Sequence, residues 1–129
     1  KESIGELEAK GHSVELAGIF YHVGENDMAF YPYRKEAAKW LQSTVVQSRL
    51  DLGLPALKWY VSQQPPPPDQ GKSDSIDVTA NLTALVVADP AFFHIKAFDL
   101  PPQQDQLVLN TAGIVKLGEL LAHRCLEHP

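Results

Sequence analysis

The sequence has few of the features that define disulfide-rich, membrane-spanning or nucleic-acid-binding proteins. It contains a single cysteine, Cys125, so no internal disulfide can form, and we expect this thiol to act as a small apolar side chain. No apolar run approaches the roughly 20 residues of a membrane-spanning helix, so we expect a soluble chain with no membrane partner. Lysine and arginine number 11 against 16 aspartate and glutamate, which argues against nucleic acid as a partner.

Metal and cofactor sites also lack support in the sequence. The five histidines and Cys125 do not form the closely spaced pairs that zinc ligands require. The sequence also has no glycine-rich loop of the kind that cradles phosphate groups. We therefore predict neither a metal ion nor a cofactor.

The length and the apolar pattern predict one α/β domain over residues 1–129. With 129 residues and 44% hydrophobic content, the chain can bury a single core. Apolar residues at helical spacing alternate with short apolar runs, which predicts helices over 1–10, 29–52, 76–88 and 111–127 and strands over 13–22, 56–62 and 91–98. Such alternation builds a small parallel sheet, here of about three strands, with helices on both faces.

The side chains of these elements lead to further expectations. We expect the first strand to be covered on both faces, because its apolar run does not alternate with polar residues. Trp40 in the longest helix and Trp59 in the second strand are expected to face the core. The charged run at 34–36 is expected to be solvated. The last helix is expected to present one apolar face, made by Ile114, Leu117, Leu121 and Cys125.

Two polar segments, residues 21–27 and 105–113, follow the first and third predicted strands. Ligands of open parallel sheets bind beyond the carboxyl ends of the strands, so both segments are candidate site loops. Gly24 is followed by Glu-Asn-Asp, and two interpretations of this run are open. It can form a turn that starts the next helix, or the Gly24 amide and the Asn26 side chain can donate hydrogen bonds to a developing oxyanion. In the second segment, Asn110 or Thr111 is expected to cap the last helix.

Both segments resemble conserved blocks of the SGNH hydrolases, and more narrowly of the sialate O-acetylesterase-like carbohydrate esterases. Residues 17–27, AGIFYHVGEND, are similar to the family's third block, an apolar strand followed by Trp, any residue and Gln-Gly-Glu-Ser-Asp. Residues 105–118, DQLVLNTAGIVKLG, are similar to a block that reads Asp, two residues, His, and then a helix. The resemblance covers the C-terminal portion of the family's domain.

The resemblance implies a fold, an activity and roles for particular residues. The fold would be the three-layer α/β/α, flavodoxin-like arrangement of SGNH hydrolases, and the activity would be hydrolysis of acetyl esters on sugars by a serine nucleophile. Gly24 and Asn26 would lie on the oxyanion side, and Asp105 would occupy the acid position of the catalytic triad. His22 and Glu25, next to these residues, are the candidates for binding a carbohydrate ester ligand.

The sequence departs from the family pattern at the residues that carry the chemistry. No Gly-Asp-Ser or Gly-Gln-Ser block is present in the 129 residues, so they supply no nucleophile of that type. Val108 stands at the position of the general-base histidine, and a valine cannot transfer a proton. Val23 stands at the position of the family's glutamine. Of the remaining histidines, His22 lies nearest to the proposed cleft, whereas His94 is expected to be packed within the third strand.

We therefore expect the C-terminal portion of a larger SGNH-like domain that is incomplete or inactive as this chain alone. The alternative is a non-catalytic carbohydrate-binding or assembly module that retains the fold, with its cleft either kept or closed by Val23 and Val108. A three-stranded sheet also leaves edges that other strands can pair with. This predicts either a homodimer or pairing with an N-terminal segment that precedes these residues.

Overall fold

Helices and strands alternate along the chain in the predicted order. The structure is a computed structural model that describes residues 2–24, 28, 31–65, 77–101 and 108–128. The elements within them are α1 (Glu2–Ala9), β1 (Ile19–Val23), α2 (Tyr31–Leu52), β2 (Trp59–Gln63), α3 (Val78–Ala88), β3 (Phe92–Lys96) and α4 (Thr111–Glu127). The predicted α/β class is therefore confirmed, with strands shorter than the sequence pattern suggested.

The three strands form one parallel sheet in the order β1-β2-β3. Ile19 pairs with Trp59, and Trp59 pairs with Phe92, so the strands begin level with one another. Right-handed crossovers between consecutive strands place α2 and α3 on the same face of the sheet. The helix α4 packs against β2 from the other face, where the Tyr60 hydroxyl donates to the backbone oxygen of His128 just beyond α4. The predicted three-layer arrangement, with helices on both faces of the sheet, is confirmed.

The main core lies between the sheet and the helices α2 and α3. Leu41 and Val45 from α2 and Val78 and Leu82 from α3 are buried against the side chains of all three strands. Each such side chain contributes about 1.5–3 kcal/mol when it leaves water. The cluster as a whole consists of Val23, Met28, Leu41, Val45, Trp59, Val61, Val78, Leu82 and Phe92.

The strand β2 is the part of the sheet that is covered on both faces, whereas β1 is not. All five residues of β2 are buried. The prediction that the first strand is covered on both faces is wrong, because Phe20 is 51% exposed and Tyr21 is 39% exposed. The reason is position: β1 is an edge strand and β2 is central. A non-alternating apolar run does not distinguish the two.

Two large apolar side chains are exposed against expectation: Trp40, predicted to face the core, and Ile114, predicted on the apolar face of α4. Trp40 is 50% exposed and Ile114 is 60% exposed. In α2 the buried row is Ala37, Leu41 and Val45, at four-residue intervals, and Trp40 lies one residue, about 100°, away from that row. The same reason applies to Ile114. The buried residue of α4 is Gly113, and Ile114 comes one residue later, about 100° further around the helix. Trp59, by contrast, is buried as predicted.

The ends of the helices follow the signals in the sequence. Gly11 and Gly53 follow α1 and α2 with φ angles of 82° and 70°, the left-handed conformation that glycine adopts without strain. Asn110 caps α4, as predicted, by accepting a hydrogen bond from the Gly113 amide at 2.8 Å. Among the described helices, none combines the length and the apolar character needed to cross a bilayer. Residues 66–76, between β2 and α3, lie outside the described residues.

Candidate functional site

The carboxyl ends of the strands and the start of α4 lie at the same rim of the molecule. Val23, Gln63 and Lys96 end the three strands in register. At the opposite end of the sheet, the Lys58 ammonium and the Tyr60 hydroxyl both donate to the His128 backbone oxygen at 3.0 Å. Because His128 follows the last turn of α4, the helix runs antiparallel to the strands and its first turn lies near their carboxyl ends.

The first turn of α4 can approach the segment that follows β3 closely because of Gly113. A Cβ atom at this position would lie 2.5 Å from the Pro101 backbone oxygen, closer than a methyl group and an oxygen can approach. The Gly113 amide is also the one that Asn110 caps. The first turn of α4 is thereby held against the segment that follows β3.

His22 and Gly24, two of the predicted site residues, lie together at this rim. The His22 Nδ1 atom is 2.8 Å from the Ser62 hydroxyl oxygen, on the neighbouring strand. The other edge of the imidazole faces Gly24, where a Cβ atom would lie 3.4 Å from His22 Cδ2 and 3.8 Å from Nε2. The backbone of Gly24 therefore lies close to the imidazole.

Three further predicted site residues, Glu25, Asn26 and Asp105, lie outside the described residues. Their roles stay predictions. The structure describes the residues that flank Glu25 and Asn26. The Met28 amide donates to the Gly24 carbonyl at 3.1 Å. Residues 24 and 28 are therefore held one helical turn apart.

Arg34 fixes the far end of this turn, a role that the sequence analysis missed. Its guanidinium donates to the Met28 backbone oxygen at 2.8 Å, and the residue is only 4% exposed. The expectation that residues 34–36 are solvated is therefore wrong for Arg34. Its position three residues before Ala37, in line with the buried row of α2, was visible in the sequence, but an acceptor six residues upstream was not.

Val23 and Val108, the two departures from the family pattern, differ in their surroundings. Val23 is 2% exposed and belongs to the core between the sheet and α2. It therefore lies in the core rather than closing a cleft at the rim. Val108 is 38% exposed and lies two residues before the cap of α4. Its correspondence to the general-base histidine of the family pattern stays a prediction.

His94 is packed in β3, as predicted, and lies on the α2 and α3 face. Its Nε2 atom is 2.8 Å from the Gln63 side-chain oxygen, and the Gln63 amide donates to the Thr79 hydroxyl at 2.9 Å. Burial and, to a smaller extent, the positive charge of Lys96 together lower the pKa of His94 to about 4. At neutral pH this imidazole is uncharged and connects β3, β2 and α3.

The described residues contain no group of three or more histidine, cysteine, aspartate or glutamate side chains that could hold a metal ion. The polar side chains that the structure places together at the rim are the His22 imidazole and the buried Ser62 hydroxyl, next to the backbone of Gly24.

Comparison with known proteins identifies the family. The model of the carbohydrate esterase family described as sialic acid-specific acetylesterases matches residues 1–127. The chain belongs to this family. Its resemblance to the sialate O-acetylesterase-like carbohydrate esterases is thereby confirmed. No match was found among curated proteins.

A solved structure has the same fold. The X-ray structure of a protein from Arabidopsis thaliana is similar over 98% of this chain, with a TM-score of 0.69 and 23% sequence identity. This similarity covers 50% of the Arabidopsis chain. The present chain therefore spans about half the length of the structure that it matches.

Proposed function

We propose that this carbohydrate esterase-like chain binds acetylated sugars at the rim formed by Gly24 and His22, and that it does not hydrolyse them on its own. Family membership supports a sugar acetyl ester as the ligand class. The hydrogen-bonding groups at the rim are suited to the hydroxyl and ester oxygens of such a ligand. O-acetylated sialic acid is the first ligand to test, because the family is described by its specificity for it.

Within this proposal the predicted site residues have distinct roles. The Gly24 amide and the Asn26 side chain donate hydrogen bonds to the ester carbonyl oxygen. His22 and Glu25 bind hydroxyl groups of the sugar, and Asp105 stands at the acid position. In a complete relative, these groups would serve a serine nucleophile in the hydrolysis of the acetyl ester.

The exposed Val108 is the observation that supports the absence of hydrolysis. A histidine at this position would take the proton from the serine hydroxyl, and a hydrocarbon side chain cannot. The 129 residues also contain no Gly-Asp-Ser or Gly-Gln-Ser block. A site with oxyanion donors but without base and nucleophile binds an ester and leaves it intact.

Two measurements test the proposal together. Binding is measured by titrating the chain with an O-acetylated N-acetylneuraminic acid and, separately, with the unacetylated sugar. Hydrolysis is measured with para-nitrophenyl acetate. We expect saturable binding that favours the acetylated sugar and no turnover above the buffer rate.

The matched variants are Asn26→Ala, which removes an amide from the proposed site, and Asn81→Ala, which removes the same group from an exposed position of α3. Asn26→Ala should weaken binding of the acetylated sugar about tenfold, as expected for loss of one or two hydrogen bonds, and Asn81→Ala should not. Turnover above buffer that Asn26→Ala abolishes would show an active enzyme and contradict the proposal.

A second proposal is that the chain is an assembly module that pairs through a sheet edge. The observation that favours it is β1, whose hydrogen-bonded neighbour among the described residues is β2 alone, and whose Phe20 is 51% exposed. An edge strand with an exposed aromatic residue is a pairing surface. The 50% coverage of the Arabidopsis structure supports the view that residues 1–129 are one portion of a larger SGNH-like domain.

Light scattering at micromolar concentration separates the two forms of assembly. A dimer that Phe20→Lys converts to a monomer would support pairing of two copies through β1. A monomer would count against the homodimer and leave pairing with an N-terminal segment as the proposal. The matched control is Val87→Lys, at an 86% exposed position of α3.

A further inference from the structure

Three exposed aromatic side chains lie along the outer side of β1 and α2, and the proposed function does not yet use them. Trp40 is 50% exposed and Tyr33 is 47% exposed, and Tyr21 is also exposed. The rings of Trp40 and Tyr33 are neighbours on α2, with centroids 6.3 Å apart and planes tilted by 55°. We call these three residues the aromatic surface. Exposed apolar groups that cluster in this way mark a ligand-binding groove or an interface.

Part of the aromatic surface is concave. Trp40 and Tyr21 line a hollow of about 80 Å³ between β1 and α2. Its floor consists of the buried apolar side chains Val23, Ala37 and Leu41. The described residues that line the hollow carry no charge. The hollow therefore offers ring surface and few polar groups, which suits a neutral and partly apolar ligand.

The aromatic surface continues into the rim at which we propose that the acetyl ester binds. Val23, in the floor of the hollow, is the last residue of β1 and precedes Gly24. Tyr21 lies three residues before Gly24, which is about 10 Å along an extended strand. Tyr33 belongs to the first turn of α2, which begins at the same end of the sheet. A sugar held at the rim would thus have its neighbour in a glycan within reach of the aromatic surface.

The surroundings of Trp40 favour a sugar over a protein partner. The exposed neighbours one helical turn away from Trp40 include Ser43 and Thr44, rather than the aliphatic residues of an apolar interface. Their hydroxyls donate to backbone oxygens within α2, at 3.0 Å for Ser43 and 2.9 Å for Thr44. Each hydroxyl oxygen can still accept a hydrogen bond. Aromatic rings flanked by acceptors match a pyranose ring, which has C–H groups on its faces and hydroxyl groups around its edge.

We propose that the aromatic surface is a second sugar subsite, at which Trp40 stacks on a sugar linked to the acetylated one, so that the chain recognises acetylated oligosaccharides in preference to monosaccharides. This inference rests on the proposed function for the acetylated sugar at the rim. The apolar face of the linked sugar packs on the indole ring, and its hydroxyl groups contact the acceptors beside it.

The first test compares two ligands that carry the same O-acetyl group, N-acetylneuraminic acid and sialyllactose. We expect the wild-type chain to bind the acetylated sialyllactose about tenfold more tightly. Trp40→Ala should abolish this preference and leave the affinity for the acetylated monosaccharide unchanged, whereas Trp40→Phe should retain most of the preference. The matched control is Leu50→Ala, at an exposed apolar position of the same helix, which should retain it fully. Equal affinities in the wild-type chain, or a preference that Trp40→Ala leaves intact, would overturn the proposal.

The second test needs no acetyl group and so separates this inference from the proposed function. In NMR spectra of the chain with excess lactose, the indole N–H signal of Trp40 should shift with saturation, and that of the buried Trp59 should not. A Trp40 signal that excess lactose leaves in place overturns the subsite. If lactose shifts it but no acetylated sugar binds at the rim, the proposed function fails and the subsite stands.

Light scattering examines the other occupant of such a surface, a protein partner. We expect Trp40→Ala to leave the mass of the chain in solution unchanged. A dimer that Trp40→Ala converts to a monomer would show that the aromatic surface is an interface between copies, and it would overturn the sugar subsite.

Discussion

The two faces of the sheet are built differently. The face covered by α2 and α3 has a continuous hydrophobic core whose members are at most 5% exposed. On the other face, Gly113 is the one buried residue of α4, and the contacts are rings and hydrogen bonds. A row of stacked rings crosses this face, formed by Phe20, Tyr60, Phe93 and His128.

This difference indicates which face contributes most to folding stability and which region is available for binding. Burial of apolar groups makes the α2 and α3 face the main source of folding free energy. The α4 face has polar groups at both ends, with His22 and Ser62 at the carboxyl rim and Lys58 and Tyr60 at the opposite end. Substitutions on the first face should therefore affect stability most, whereas those at the rim should affect binding.

The largest effect is expected from Leu82→Ala in α3. Leu82 is fully buried in the core, so truncation leaves a cavity and should lower the free energy of unfolding by about 3 kcal/mol. Val87→Ala, on the same helix at an 86% exposed position, should change it by less than about 0.5 kcal/mol. Urea unfolding measures both. Similar losses in the two variants would contradict the burial of this face.

The next effect is expected from Arg34→Ala. This substitution removes the donor to the buried Met28 backbone oxygen, and the loss of such a hydrogen bond should cost about 2 kcal/mol. The exposed neighbour Lys35→Ala is the control. Hydrogen exchange at the Met28 amide should also become faster in Arg34→Ala, because the turn from Gly24 to Met28 loses its anchor. Unchanged exchange would show that Arg34 does not hold the turn.

A smaller effect is expected on the α4 face from Tyr60→Phe. The variant retains the stacked ring and loses the hydrogen bond to the His128 backbone oxygen, so unfolding should become easier by about 1 kcal/mol. Hydrogen exchange should increase in the last turn of α4 and not in α3. Burial raises the pKa of the Tyr60 phenol, and Cys125 raises it further, so the hydroxyl stays protonated at neutral pH. A loss as large as that of Leu82→Ala would contradict the contrast between the faces.

The effect that is smallest at neutral pH, and that grows only as the pH falls, comes from His94. Its pKa is lowered from 6.5 to about 4 in the folded chain, so the unfolded chain binds more protons between these values. Stability should therefore fall as the pH decreases from 6.5 towards 4, because the proton that the unfolded state takes up is excluded from the folded state. In His94→Gln this part of the slope should disappear. The urea midpoint at several pH values measures it, and equal slopes in both chains would contradict the account.

Much of the fold is visible in the sequence because local signals agree with it. The bounds of α4 coincide with the prediction, since the Asn110 cap and the apolar four-residue spacing give the same helix. Where tertiary position decides, the predictions fail. Nothing local shows that β1 is an edge strand, and the burial of Arg34 depends on an acceptor in the preceding turn.

The candidate site is divided in the same way. His22 and Gly24 could be placed at the rim because they follow an apolar run and match the family's third block. Ser62 could not, because its contact with His22 depends on the strand register, which pairs residues 40 positions apart. Serine within a buried strand is the signal that was available, since a buried hydroxyl needs a partner.

The most direct test of the account is amide chemical-shift mapping of the chain with an O-acetylated N-acetylneuraminic acid. The account predicts that shifts concentrate at the carboxyl rim, around His22, Gly24 and Asn110, and that the acetyl ester remains intact during the titration. Shifts centred at the opposite end of the sheet, around Leu54 and Lys58, or none at saturating sugar, would contradict it.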